Sequence, residues 1–225
     1  NLHFLMASFY RPESKRIKIL CDSPCFPSDS YALQSQARWH GLEPLDAMVV
    51  LKPREGEHCL RDEDILGAID EHRNELALVM FAGVNYYPGQ AYDIKSIAAR
   101  CQEHGIPFGL DLAHAAGNLD LELHEYGVDF AAWCTYKYGN SGPGAVAGAF
   151  VHERHAHNQE LVRLAGWWGN DPATRFQMDE NPEFIAQEGA EGWQVSNPPI
   201  FSMAPLHSSL SIFAEAGMAA LRERS

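Results

Sequence analysis

Leu76-Ala-Leu-Val-Met-Phe81 is an apolar run, Asp93 to His104 is amphipathic, and Pro107-Phe-Gly-Leu-Asp111 is apolar again. The first run lacks any polar side chain and reads as a buried strand. The second has Asp93 placed to cap a helix and Gly105 just past its end. The third is a further strand. Working outward, Arg16-Ile-Lys-Ile-Leu20, Met48-Val-Val-Leu51 (stopped by Pro53), Val128 to Thr135 and Val146 to Val151 also read as strands. Helices are expected from Asp29 to His40, ended by Gly41, and from Asp62 to His72, with Ile65, Leu66 and Ile69 on one face. A last helix spans Ala204 to Arg224, with Leu206, Leu210, Phe213 and Leu221 near helical spacing. Strand and helix alternate, which predicts an α/β fold with a mostly parallel sheet flanked by helices on both faces. Residues 152–200 carry Gly, Pro, Asn and Trp with little periodicity and read as a long structured excursion.

The chain has 225 residues, 46% of them hydrophobic and 21% charged, the profile of a globular protein. One large domain fits, and two small ones remain open. Lys and Arg number 17 and Asp and Glu 30, for a net charge of −13. That balance repels phosphates and argues against a nucleic-acid or anionic-membrane partner. No apolar run reaches the roughly 18 residues of a membrane span. Five cysteines, an odd number without a C-x-x-C pair, suit a reducing compartment, with cytoplasm the expectation. The chain opens on Asn1 and closes inside a helical pattern, so it reads as a piece of something longer.

In open α/β sheets, ligands bind outside the carboxyl ends of the strands. Asp111 ends one strand there, with His114 three residues on, and Tyr136 and Lys137 end another. A carboxylate at an apolar strand end is costly unless it meets a cation. An amine in an apolar setting is a nucleophile for an aldehyde. A lysine for an aldehyde and an aspartate for a protonated ring nitrogen are together what pyridoxal phosphate chemistry demands. Taken singly, the lysine also reads as a solvated edge charge and the aspartate as a helix cap; their placement at one sheet edge favours the functional reading. Gly139-Asn-Ser-Gly-Pro-Gly144 follows the lysine with no bulky side chain to obstruct a ligand.

Leu110-Asp-Leu-Ala-His-Ala-Ala-Gly-Asn118 and Leu123-His-Glu-Tyr-Gly-Val-Asp-Phe-Ala-Ala-Trp-Cys-Thr-Tyr-Lys-Tyr138 resemble the kynureninase family. So do Phe26-Pro-Ser-Asp29, Lys52-Pro-Arg-Glu-Gly56, His152-Glu-Arg-His-Ala-His157, Gly166-Trp167, Thr174-Arg-Phe176 and Ser196-Asn-Pro-Pro199. They run in the family's order over essentially the whole chain. The resemblance implies a pyridoxal phosphate-dependent, transferase-like (fold type I) large domain spanning 1–225. It is incomplete, with the family's upstream phosphate-binding segment and downstream small domain outside it. The implied reaction is hydrolysis of L-kynurenine or 3-hydroxy-L-kynurenine to anthranilate or 3-hydroxyanthranilate plus L-alanine, in tryptophan catabolism and NAD biosynthesis. The implied assembly is a cytoplasmic homodimer.

By the same resemblance, Lys137 carries the cofactor, Asp111 keeps its ring nitrogen protonated, and His114 lies near the ring. Phe26 stacks on the ring, within a block of cofactor-binding residues that includes Pro27, Ser28 and Asp29. Tyr136 contacts the phosphate and relays protons, and Trp167 donates its indole N–H to the phosphate. Asn197 lies near the substrate ring across the subunit interface. Ala82 stands where relatives can have a cofactor-bonding serine, which leaves only a backbone contact. The alternatives are another enzyme of the same fold, such as a cysteine desulfurase or class V aminotransferase, and a non-catalytic truncated product. No metal site is expected, since His152, His155 and His157 lack the H-E-x-x-H spacing and read as a solvated or interface group. The glycines between 139 and 148 lack the phosphate-loop pattern G-x-x-x-x-G-K-[ST]. Cys134 reads as a buried, small apolar residue of a strand. Trp168 and Trp193 read as packing or interface residues, and Asp62-Glu-Asp64 as a charged helix start.

Overall fold

A computed structural model describes residues 1–225. The chain begins with α1 (Leu2–Phe9), β1 (Lys18–Asp22), α2 (Pro27–Trp39), α3 (Pro44–Ala47) and β2 (Met48–Leu51). It continues through α4 (Asp62–His72), β3 (Leu76–Ala82), α5 (Ile94–Glu103), β4 (Phe108–Asp111), α6 (Leu123–Tyr126), β5 (Phe130–Trp133) and β6 (Gly148–Val151). Three short 3-10 turns interrupt the excursion before α7 (Ile200–Ala216) and α8 (Met218–Arg224).

The six strands form one sheet in the order β2-β1-β3-β4-β5-β6. All neighbours are parallel except β5 and β6. The strand order reverses beside β1, so the chain leaves a crevice at the carboxyl ends of β1 and β3. The period of two along β3 divides the core. Val79 and Phe81 face α4 and α5, where they meet Ile65, Ile69 and Ile97. Leu78 and Met80 face α1 and α2, where they meet Leu5, Phe9 and Leu33. Burying a side chain of this size contributes about 1.5–3 kcal/mol, so each helix is held to the sheet chiefly by its apolar stripe.

The expected helices form for the expected reasons. Asp93 caps α5 by accepting the Ser96 N–H at 3.1 Å, and Gly105 at φ +61° lets the chain turn away. Ile94, Ile97, Ala98 and Cys101 form its buried stripe. Pro27 starts α2 at a position that needs no N–H donor. Gly109 in β4 is a packing requirement, because a Cβ there would lie 2.2 Å from the Phe130 ring of β5.

Three expectations need correction. The final helix begins at Ile200 and is broken at Gly217, whose φ of +75° is outside the helical region. Of its expected apolar face Leu210 is exposed, and Ser209 is the buried residue of α7. Cys134 is not within a strand, because β5 ends at Trp133; the thiol is half-buried beyond the strand tip. Helices α1, α3 and α6 had no sequence signal strong enough to read.

Candidate functional site

Asp111 is the last residue of β4 and Lys137 follows β5 by four residues, so the two arrive at one sheet edge from adjacent parallel strands. They line a cleft of ≈ 210 Å³ together with Phe26, Asp29, Ala82, His114 and Tyr136.

The turn that bears Lys137 is tied down by buried hydroxyls. Thr135 Oγ1 donates to the Val146 carbonyl at 2.6 Å, and Ser141 Oγ donates to Thr135 Oγ1 at 2.6 Å. The Ser209 hydroxyl of α7 donates to the Gly139 carbonyl at 2.7 Å. Gly139 itself passes so close to Thr135 that a Cβ would lie 2.6 Å from the Thr135 carbonyl oxygen. With both ends of the turn fixed, Lys137 Nζ lies 2.9 Å from Nε2 of His114 and 5.6 Å from the centroid of the Phe26 ring. An ammonium only donates, so Nε2 accepts and the imidazole proton sits on Nδ1. Burial, followed by the Lys137 charge, holds the His114 pKa below the ordinary range and keeps the ring neutral.

Asp29 comes from the first turn of α2, directly opposite. Burial pushes its carboxyl up to about 8, with the nearby Asp111 carboxylate the next cause; the Lys137 charge opposes the shift. At neutral pH Asp29 therefore holds its proton and can donate it to Asp111. Asp111 Oδ1 also accepts the backbone N–H of Ala113 at 2.8 Å. The pair presents one negative charge to the cleft. Tyr136 sits at the rim, exposed, and its phenol is shifted upward chiefly by a hydrogen bond with the Cys134 thiol.

This arrangement fits the cofactor expected from the sequence. One lysine, one shared carboxylate charge, an aromatic wall at Phe26 and an open rim supply an aldehyde-reactive amine, a partner for a single ring cation and a stacking face. Ala82 ends β3 across from Asp111 and offers no hydroxyl to the cleft.

Not every expected residue arrives there. Pro27 and Ser28 lie exposed on the first turn of α2 and do not line the cleft. Trp167 packs edge-on against Trp168 and near Phe176, away from it. Asn197 borders a neighbouring cavity with Val146, Ala147 and Trp193. Trp193 packs on Phe9 and donates to the Ser8 hydroxyl at 2.8 Å. The three histidines go to different partners: His152 to the His124 carbonyl, His155 to Asp129 and His157 to Glu188. Asn85, Tyr86 and Cys134 do line the cleft and were not read as site residues. Asn85 and Tyr86 follow the end of β3, so the strand-edge rule was the available signal.

Residues 46–182 match the family described as Aminotransferase class-V. The chain is 57% identical over 225 residues to a protein named kynureninase from Myxococcus xanthus, covering 100% of this chain and 52% of that one. It is 53% identical over 224 residues to a kynureninase of Nematostella vectensis, covering 100% of this chain and 48% of that one. The chain thus spans about half the length of the curated relatives it matches. Among solved structures it is similar to a cysteine desulfurase from Thermococcus onnurineus, with a TM-score of 0.74 and 17% identity over 97% of this chain and 50% of that one. It is also similar to a C-DES variant with glycine covalently linked to its PLP cofactor, with a TM-score of 0.76 and 18% identity over 100% of this chain and 56% of that one. At such identities the structural likeness carries the fold alone.

Proposed function

This chain belongs to the aminotransferase class-V family, and we propose that it is the lysine-bearing large domain of a pyridoxal phosphate enzyme that hydrolyses L-kynurenine or 3-hydroxy-L-kynurenine. The products are anthranilate or 3-hydroxyanthranilate and L-alanine. The observation that carries the reading is Lys137 facing Asp111 in one cleft, in a chain 51–57% identical to proteins named kynureninase. In the reaction the Cβ–Cγ bond breaks. Water gives its hydroxyl to the γ-carbonyl carbon, which leaves as the carboxylate, and a proton goes to the β-carbon.

Bound pyridoxal phosphate supplies an electron sink for charge developing at the substrate α-carbon. Lys137, the only lysine lining the cleft, would hold the cofactor covalently. Its amine would also be placed to take the substrate α-proton. Neutral His114 orients the amine through Nε2. The Asp29–Asp111 pair would favour a charged ring nitrogen in the bound cofactor. The Tyr136 phenol, which keeps its proton, is suited to hand one to the alanine carbon. Phe26 provides the stacking wall. Trp167 and Asn197 lie outside this chain's own cleft, and the reading gives Asn197 to the cleft of a second copy in a homodimer.

We place the enzyme in the cytoplasm, within tryptophan catabolism and NAD biosynthesis. The five free cysteines suit a reducing compartment. No helix is long and apolar enough to cross a membrane. The test supplies the full-length protein with pyridoxal phosphate and either kynurenine, and follows anthranilate or 3-hydroxyanthranilate fluorescence. L-Cysteine is the contrasting substrate. Sulfide release without anthranilate release would favour the cysteine desulfurase alternative and overturn the proposal.

A further inference from the structure

Asp22 and Asn85 form a buried polar contact at the wall of the cleft that the chemistry above does not use. Asp22 ends β1 and is 3% exposed, and Asn85 follows β3 and is 1% exposed. Asn85 Nδ2 donates to Asp22 Oδ2 at 2.7 Å and to the Pro24 carbonyl at 3.0 Å. Asn85 Oδ1 accepts the Tyr87 N–H at 3.0 Å. A backbone N–H only donates, so this contact fixes which way the amide points. Tyr92 also donates its phenol to Asp22 Oδ2 at 3.0 Å.

The connectivity has a consequence for the cleft. Asp22 ends β1 and Pro24 belongs to the loop leading from it into α2, which carries Phe26 and, one turn on, Asp29. Asn85 and Tyr87 flank Tyr86, whose ring meets Phe26 edge-on with centroids 5.4 Å apart. Phe26 and Tyr86 are both exposed, so packing alone gives the two rings little support. The polar joint behind them spans the crevice where the strand order reverses. A buried amide with every donor and acceptor used resists displacement, because moving it leaves unpaired polar groups in the interior.

We propose that Asn85 is a positioning residue: its side-chain amide clasps the loop bearing Phe26 and Asp29 to the loop bearing Tyr86, and so sets the aromatic wall and one carboxyl of the cofactor cleft. The proposal rests on the reading of the cleft as a pyridoxal phosphate site. Asn85 itself does none of the chemistry. It acts through Phe26, Asp29 and Tyr86, whose placement governs how tightly and in which orientation the ring is held.

The experiment uses the full-length protein and compares N85A with the unsubstituted form. Two readouts report the clasp. One is hydrogen exchange across residues 23–30 without cofactor. The other is pyridoxal phosphate affinity, with the circular dichroism of its visible band. N85A should speed exchange in 23–30 while leaving β3 and β4 protected. It should also weaken cofactor binding about tenfold and diminish the dichroic band. With kynurenine, kcat should fall more than KM changes, since a misplaced ring costs reaction geometry. If N85A does not fold, N85S is measured in its place, with the same changes in the same direction. N85D removes both donors and sets a carboxyl against Asp22; adding D22N restores a donor across the contact and should recover part of the lost affinity. Unchanged exchange, affinity and dichroism in a folded Asn85 variant overturn the clasp and leave the cofactor reading intact. No visible-band signal in the unsubstituted protein overturns the cofactor reading and the clasp with it.

Discussion

Lys137 Nζ lies 2.9 Å from His114 Nε2, and each residue reaches the contact from beyond the carboxyl end of a different parallel strand. The contact works only while the imidazole is neutral, because two cations at this distance repel. Burial is the larger reason that His114 resists protonation, and the amine opposite is the second.

That ranking fixes a titration experiment. In the cofactor-free protein, the His114 ring followed by NMR should titrate below the ordinary histidine range. In K137A the midpoint should rise only part of the way back, because desolvation remains after the charge is removed. A complete return would make Lys137 the main cause, and no change would mean that the amine does not face the ring in solution.

Much of this site was legible before the structure, and the reason lies in the strand-edge rule. Asp111 ends a strongly apolar strand, and His114 and Lys137 each follow one, so hydrophobic pattern alone placed them at one edge. Asp93 and Gly105 likewise announced both ends of α5. Cys134 was misread because Val128 to Thr135 is continuous in pattern, while the ladder to β6 stops at Trp133. Asn85 and Asp22 were illegible for a different reason. They meet across 63 positions in sequence, and no periodicity links an asparagine after one strand to an aspartate ending another. The face of α7 was misjudged because spacing tells which residues share a side, and not whether anything covers it.

Pyridoxal phosphate should become fixed to Lys137 when the full-length protein is treated with borohydride. Digestion followed by mass spectrometry should find the added mass on the peptide containing Lys137, and K137A should yield no fixed cofactor. Lys15, Lys18, Lys52 and Lys95 do not line the cleft, so labelling that survives K137A would move the attachment point elsewhere.

Asp29 gives a stability effect with a definite sign. Its carboxyl is raised from 3.8 to about 8 in the folded protein, so between those values the native state binds a proton that the unfolded chain has released. Stability from this group is complete below the unfolded value and is lost as pH rises through the folded one. D29N replaces the protonated acid with an amide that can donate to Asp111 at any pH. The Tm of D29N minus that of the unsubstituted, cofactor-free protein should therefore grow from pH 5 to pH 8 and then level off. A difference that stays flat would mean that Asp29 ionises normally.

Two glycines should respond oppositely to alanine. Gly109→Ala drives a Cβ to 2.2 Å from the Phe130 ring in the sheet interior. Overpacking of this kind costs typically about 1–3 kcal/mol, and the displaced strand carries Asp111 two residues on. Gly67→Ala adds a methyl to the exposed face of α4, where nothing lies within 4 Å, and should stabilise by roughly 0.5–1 kcal/mol. Urea unfolding measures both. Weaker cofactor binding is expected for G109A alone.

Asp111→Asn separates the electronic role of the carboxylate from its structural one. The asparagine Oδ1 can still accept the Ala113 N–H that Asp111 accepts at 2.8 Å, so the turn after β4 keeps its local bond and Tm should change little. On the proposed reading, what disappears is the negative charge that would favour a protonated ring nitrogen, and with it most of the electron withdrawal on which breaking the substrate's α C–H bond depends. A loss in kcat of at least about 10²-fold, or about 2.7 kcal/mol, is expected, with cofactor still fixable to Lys137. The same substitution removes the second cause of the raised Asp29 carboxyl, so Asp29 should titrate lower in D111N while staying above its ordinary value through burial. The two readouts guard each other. A fall in kcat with Asp29 unmoved would signal a collapsed site and not a lost charge. A lowered Asp29 pKa with turnover near that of the unsubstituted protein would show that the ring does not need Asp111.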